Sequence, residues 1–459
     1  MKRQLFTYLT SSLLTIAGLT TGFAQSTQKN DAPHLNDESK VTNQNLPVKT
    51  KSAILKDSTA SLKIKSLKPI SVQNYEDFKK SIRPLIAQIS TKRIVALGEG
   101  THGTAEFYKM RYWISRILVE EKGFNHLAFE NDFSDGWYIT KGLNENADLN
   151  GLMKKYMLSI WQNEETKEML NWLRDYNSKH ERKVVVDGLD YVMLNRDVEL
   201  LQELITKDVN ADLSAAIQKL VEPAALQDSA WNGMNLKEFK FDWEKMQKGS
   251  RNAYLFADSI DKQLVKLDLS PSVKTNSHIA LTNLMQGFAP FYEQTAEITR
   301  DSLMAVNTSL LLTAPEDKMI IWAHNAHLAK TGIYNNEVGG TGGYILKKFP
   351  DNYFVLGTGT ATGTFAATEE ARDTYTNPMA VYPLENPVKG SWEEFLSGIK
   401  TPVMYFNPAE FNAEKLVKPL RFIGYTPKSG PSTYDKTNMS DLFDAFLFIK
   451  DSHAATPLK

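Results

Sequence analysis

The chain reads as an α/β protein, a layered and mainly parallel sheet flanked by helices. Two apolar runs and the segment between them carry that reading. Arg93-Ile94-Val95-Ala96-Leu97-Gly98 and His126-Leu127-Ala128-Phe129 have the length and unbroken hydrophobicity of strands covered on both faces. Between them Phe107, Met110, Ile114, Ile117 and Leu118 recur at helical spacing, and Lys122-Gly123 supplies a basic last turn and a stop. Strand, helix and parallel strand in that order form the repeating unit of an α/β sheet.

The pattern recurs further along. A helix rich in Trp and Leu is expected from Glu165 to Tyr176, then a strand at Lys183-Val184-Val185-Val186-Asp187. Residues 67–193 are therefore read as the first part of the core. Residues 194–312 carry long helical patterns with few strand-like runs, which predicts a helical insertion over one end of the sheet, able to wall or cover a cleft. Strands at Met319-Ile320-Ile321-Trp322 and Tyr353-Phe354-Val355-Leu356 place the second part of the core at 313–356. The stretch from about Gly357 is rich in Thr, Gly, Ala and Pro, and 357–450 is read as a smaller α+β region. No internal repeat is found.

The N-terminus has the parts of a secretory signal peptide: Met1-Lys2-Arg3, a short apolar stretch, then Gly22-Phe23-Ala24 before Gln25. Residues 1–24 are expected to be removed, leaving a periplasmic or secreted protein. Residues 25–52 are polar and too poor in apolar side chains to repay the entropy of ordering, so a flexible leader is expected. No later stretch approaches about 18 consecutive apolar residues, so no integral membrane association is expected after cleavage. With no cysteine in 459 residues there are no disulfides, no thiolate nucleophile and no Cys-ligated zinc. The formal net charge of −1 gives no field to attract nucleic acid, which is not expected as a partner.

The chemistry concentrates just past the strands. Gly98-Glu99-Gly100-Thr101-His102-Gly103 follows the first strand and precedes its helix, where open α/β sheets place ligand-binding residues. A carboxylate three residues from an imidazole in such a turn can orient the ring or tune its basicity. A helix-capping turn, with Thr104 as cap and Glu106 complementing the dipole, accounts for the same residues without chemistry. The next strand ends tip the balance. Phe129-Glu130-Asn131-Asp132 and Trp322-Ala323-His324-Asn325-Ala326-His327 also put titratable side chains beyond strands, and parallel strands bring them to one edge. Arg111, two helical turns in from Thr104, could hold Glu130 in a bidentate pair or contact an oxyanion, while taken by itself it reads as a surface arginine on the polar side of an amphipathic helix. There is no Gly-x-Ser-x-Gly elbow, no His-Glu-x-x-His, no P-loop and no convincing dinucleotide fingerprint, so no cofactor is expected.

Taken in order, these motifs resemble the erythromycin esterases. The resemblance rests on Gly98 to Gly103 with Glu106, Phe107 and Arg111, on Phe129-Glu130, and on Trp172-Leu173-Arg174 with Tyr176-Asn177. It continues through Arg300-Asp301 with Met304 and Asn307, Trp322 to His327, and Phe443-Asp444-Ala445. It implies a metal-independent hydrolase that opens a macrolide lactone with activated water, its active site formed by His102, Glu99, Arg111, Glu130, His324 and His327. Gly100 stands where the family usually has alanine and is expected only to loosen the turn. The implied mechanism holds a water between His102 and Glu130, with Glu99 orienting His102 as general base and Arg111 fixing Glu130. His324 or His327 then meets the oxyanion or protonates the leaving alkoxide. Two other readings use the same side chains: a metal-dependent hydrolase with a His/Glu ligand set, and an exported protein that binds haem or another bulky ligand without catalysis.

Overall fold

The computed structural model describes residues 63–459 apart from 234–241, 293–298, 334–338, 370–374 and 415. The expected signal peptide and leader lie outside the described residues. In chain order the strands are β1 (Lys68–Pro69), β2 (Ile94–Glu99), β3 (His126–Asp132), β4 (Val185–Asp190), β5 (Met319–His324), β6 (Tyr353–Ala367), β7 (Ala380–Pro383), β8 (Val403–Phe406), β9 (Val417–Arg421), β10 (Tyr434–Asn438) and β11 (Ala445–Ser452). Nine of them form one sheet in the order β1-β8-β11-β6-β2-β5-β3-β4, with β7 paired to β6; β9 and β10 form a separate antiparallel pair. Every pairing from β11 across to β4 is parallel, and antiparallel β8 and β1 close one edge.

Strand alternation divides the core into two layers. Ile94 and Ala96 of β2 and Met319, Ile321 and Ala323 of β5 face one layer; Val95, Leu97, Ile320 and Trp322 face the other. A period of two with apolar residues on both faces is what a sheet covered on both sides requires. The second layer is built with α1 (Tyr75–Ile89), α2 (Ala105–Lys122), α3 (Phe133–Asn144), α4 (Leu149–Tyr156) and α5 (Glu164–Lys179). The first is filled largely by α6 (Leu194–Leu204), α7 (Ala211–Gln218), α8 (Val221–Gly233), α9 (Trp243–Leu264), α10 (Pro271–Tyr292) and α11 (Arg300–Leu311). Each fully buried Leu, Ile, Val or Phe contributes roughly 1.5–3 kcal/mol of transfer free energy, so packing on the two faces outweighs helix propensity in holding these elements.

α2 ends where its sequence says it should, at Gly123 in the left-handed conformation with φ 70°. Its start is different. Thr104 is the N-cap residue but its side chain caps nothing, bonding instead to the Thr101 hydroxyl 2.6 Å away. Past residue 357 the chain does not leave the sheet. β6 runs through that point to Ala367, and β8 and β11 extend the same sheet, while β7 and the β9–β10 pair are the parts off its main path. In this Gly- and Thr-rich stretch, Gly357 and Gly359 leave room for the Phe443 and Phe446 rings, which approach them closely.

Candidate active site

The C-terminal ends of β2, β3, β4 and β5 meet at one edge, and the polar side chains that end these strands meet with them. Glu99 and His324, the last residues of β2 and β5, are register partners. On β3 the register against β4 shifts between Phe129 and Asp132, a bulge that contains Glu130. Asp190 ends β4. α12 (Asn325–Leu328) begins directly after β5 and carries His327.

Glu99 anchors the first half of the site. Its Oε1 lies 2.8 Å from His102 Nδ1, and its Oε2 accepts from Arg111 Nη2 at 2.7 Å; all three side chains are buried. With Nδ1 committed to the carboxylate, Nε2 of His102 is the nitrogen left to accept a proton. The ring centroids of His324 and Tyr425 each lie 4.9 Å from that of His102. The turn carrying His102 packs closely on β6: a Cβ on Gly100 would stand 2.7 Å from the Thr358 carbonyl oxygen. Glycine is therefore demanded here by the neighbouring strand and does more than loosen the turn.

Glu130 is the hub of the second half. Its Oε2 accepts from the His324 backbone N–H at 3.0 Å, and its Oε1 from Arg300 Nη2 at 3.1 Å, with His327 Nε2 at 3.3 Å. Burial alone would raise this carboxyl, but His327 and Arg300 outweigh it and hold Glu130 well below the usual carboxylate range. Arg300 also donates from Nε to Asp190 at 2.8 Å, and its Nη2 bonds the same oxygen. His327 Nδ1 lies 2.6 Å from Asp301 Oδ1, which also takes the backbone N–H and hydroxyl of Thr341. Burial lowers the His327 imidazole, yet Glu130 and Asp301 overcome it and lift it to about 10. His327 is thus charged at neutral pH and donates from both nitrogens, so its 3.4 Å approach to Arg300 Nη1 is a contact between donors and not a hydrogen bond.

His324 is the opposite case. Burial, reinforced by the neighbouring His102 and His327 rings and only partly opposed by the Glu130 carboxylate, drives it well below the usual imidazole range, so the ring is neutral. Its Nδ1 accepts from the Ala326 backbone N–H at 3.2 Å, which leaves the proton on Nε2. Nε2 has no well-formed hydrogen bond, although the Gly100 carbonyl slightly favours the charged ring.

The model of the erythromycin esterase family matches residues 119–452. The chain belongs to the erythromycin esterase family. Erythromycin esterase type II of Escherichia coli is 25% identical over 414 residues, covering 83% of this chain and 93% of that protein. Among solved structures, one titled as a succinoglycan biosynthesis protein superposes with TM-score 0.72 at 18% identity, covering 86% of this chain and 96% of its own. An erythromycin esterase mutant in its open conformation gives TM-score 0.64 at 18% identity, over 86% of this chain and 99% of its own. At such identity these two structures speak for the fold alone.

All six side chains singled out in the sequence converge on this edge, but one pairing differs. Arg111 does not hold Glu130. It pairs with Glu99, and its guanidinium carbon lies 4.8 Å from the ring centroids of Tyr108 and Trp322 and 5.3 Å from that of Trp161, with Nε and Nη1 unbonded. The cation that fixes Glu130 is Arg300. Glu130 accepts from the His324 backbone on one oxygen and faces Arg300 and His327 with the other, so protein donors already occupy part of its acceptor capacity. Arg300, Asp301 and Asp190 join the site beyond those six. The strand expected from the sequence ends at Asp187, whereas β4 runs on to Asp190. Arg300-Asp301 stand among the residues carrying the resemblance, but Arg300's partners Asp190 and Glu130 lie 110 and 170 residues away and Asp301's partner His327 lies 26 away; the fold brings these partners to Arg300 and Asp301. Their placement comes from a capping box in which Thr299 and Ser302 satisfy each other's backbone N–H groups and start α11. Among the described residues, no group of three or more His, Cys, Asp or Glu is arranged to hold a metal ion.

Proposed function

We propose that this erythromycin esterase family member hydrolyses a carboxylic ester of a bulky small molecule, a macrolide lactone, moving the protons with its own side chains. The observation that carries the reading is the different bonding of three imidazoles at one sheet edge: His102 on Glu99, His324 on a backbone N–H, His327 between two carboxylates. Glu99 holds the His102 ring so that Nε2 takes a proton from water while the water oxygen adds to the ester carbonyl. The neutral His324, with its Nε2 proton poorly bonded, donates to the oxygen on which negative charge develops. As the tetrahedral intermediate collapses and the carbon–alkoxide bond breaks, the His327 imidazolium gives its Nε2 proton to the leaving oxygen. Glu130, kept ionised by Arg300, holds the His324 backbone and favours the charge on His327.

The macrolide assignment is supported by the family and by the named activity of the Escherichia coli relative. Export to the periplasm or medium is part of the same reading, supported by Met1–Ala24. No helix among the described residues is long and apolar enough to cross a membrane. The test is mass spectrometry of a macrolide panel incubated with chelator-treated protein and with its His102→Ala variant. The expected result is a product heavier by one water, absent with the variant. No mass gain on any macrolide, or equal gain with the variant, overturns the proposal.

A further inference from the structure

We infer that residues 453–459, which follow β11, are a strap that positions the turn carrying His102. Only the kinetic consequence of this rests on the hydrolase reading; the architecture does not. The family match stops at residue 452, immediately before this segment.

The strap crosses the starts of two helices and supplies each with an acceptor. The His453 carbonyl accepts from Ala105 N at 2.9 Å, and the Thr456 carbonyl from Glu164 N at 2.9 Å. These are the first residues of α2 and α5, where backbone N–H groups have no partner inside the helix. This is why α2 starts cleanly although the Thr104 side chain caps nothing. The decisive bond lies one residue earlier. The Gly103 carbonyl, next to His102, accepts from Ala455 N at 2.8 Å on the strap and from Ala366 N at 2.9 Å on β6. Gly103 sits at φ 86°, and its own N–H meets the Tyr108 hydroxyl at 3.3 Å.

The strap is held along its whole length. His453 bonds Glu106 through its backbone N–H at 2.9 Å and its Nδ1 at 2.7 Å. Ala454 N reaches the Thr364 hydroxyl at 3.0 Å, Leu458 N the Gln162 carbonyl at 3.0 Å, and Lys154 Nζ the Lys459 carbonyl at 2.7 Å. Ala455 is buried in the core layer that also holds α2 and α5. A reacting group set by a turn is sensitive to that turn, since a displacement near 1 Å can cost on the order of a hundredfold in rate. His102 is joined to Gly103 directly, so slack at the Gly103 carbonyl is transmitted to the imidazole.

The test compares the full chain with a form ending at His453 and with Ala455→Pro, which removes the one N–H of the strap that reaches Gly103 and leaves that of Ala366 in place. Amide hydrogen exchange over 100–106 and the steady-state constants are measured for each. The strap predicts exchange over that turn faster by at least about tenfold, a kcat lowered on the order of a hundredfold and a KM little changed. Adding the free peptide Ala-Ala-Thr-Pro-Leu-Lys to the shortened form should restore part of kcat. Unchanged exchange in both variants, or faster exchange with unchanged kcat, overturns the inference. If the wild-type chain hydrolyses no ester, the hydrolase reading fails and exchange alone decides on the strap. If the shortened form does not fold, Ala455→Pro decides.

Discussion

The Glu130 carboxylate accepts the backbone N–H of His324 at 3.0 Å, tying the end of β3 to the end of β5. That bond makes Glu130 a fixed part of the frame. Its remaining oxygen faces Arg300 and His327, so one carboxylate sets the backbone of one imidazole and the charge of another. Replacing Glu130 by Gln keeps the shape but removes the charge. It should lower kcat/KM by about a hundredfold or more, as expected for loss of a group that supports proton transfer, with little effect on the folded structure seen by circular dichroism. Activity within twofold of the wild type would contradict this role.

Arg300 answers two buried carboxylates, Glu130 and Asp190. Arg300→Met leaves Asp190 without this cation and Glu130 with His327 alone, and breaking a buried pair from one side typically costs about 3–5 kcal/mol. A clear fall in the urea midpoint together with loss of hydrolysis is expected. Arg300→Lys keeps the charge but not the forked geometry, and should recover stability better than activity. A Met variant as stable as the parent would show that these carboxylates are relieved some other way.

The pH dependence should follow His327. Its imidazolium is lifted to about 10 by Glu130 and Asp301 against the pull of burial. Hydrolysis that needs this proton holds on the acid side and fails as pH rises through that value. Asp301→Asn removes one of the two carboxylates, so the alkaline limb of kcat/KM should move down, by on the order of one pH unit or more. Following the His327 ring by NMR in the free protein separates this from any effect on substrate. An unmoved ring titration would remove Asp301 from the account.

A second imidazole, at the other end of the strands, provides a stability test away from the site. His126 Nδ1 lies 2.8 Å from Asp187, with Asp317 at 3.9 Å from Nε2. Burial lowers this ring, but Asp187 and then Asp317 prevail and raise it. Because the folded value lies above that of the unfolded chain, near 6.5, the stabilisation is fully present below about pH 6.5. It is lost as pH rises through the folded value. His126→Gln should therefore lower Tm more in mildly acidic buffer than in alkaline buffer, and an equal loss in both would refute the linkage.

How much of this was legible in the sequence depends on whether a signal was local. The strands at Ile94 and Met319, the helix over Phe107 to Leu118, and the carboxylates and imidazoles just beyond them all announce themselves within a few residues. Their convergence followed from parallel pairing alone. The partner of Arg111 was not legible, because choosing between Glu99 and Glu130 depends on the packing of Tyr108, Trp161 and Trp322 around the guanidinium. Nor was the partner of Arg300, a residue that stands out in the sequence but reaches Glu130 across 170 residues of chain. The Gly and Thr content past Gly357 hid the continuation of the strand expected at Tyr353–Leu356, which runs on to Ala367, because Gly357 and Gly359 accommodate large rings instead of marking turns.

Gly103 offers the sharpest test of how the turn beside His102 is built. A Cβ at this position would lie 2.1 Å from the Ala366 carbonyl oxygen, and the φ of 86° is one that side chains disfavour. Gly103→Ala must therefore push β6 and the turn apart as well as accept a strained backbone. The strained conformation alone costs about 1–3 kcal/mol. Denaturant unfolding should show a loss at least that large, and the hydrolysis rate should fall further than the stability loss explains, because the same shift moves His102 relative to Glu99. Measuring both quantities in one preparation separates the effects. A variant that is destabilised but retains its full rate per folded molecule would mean that His102 is held by Glu99 alone and that the turn merely carries it.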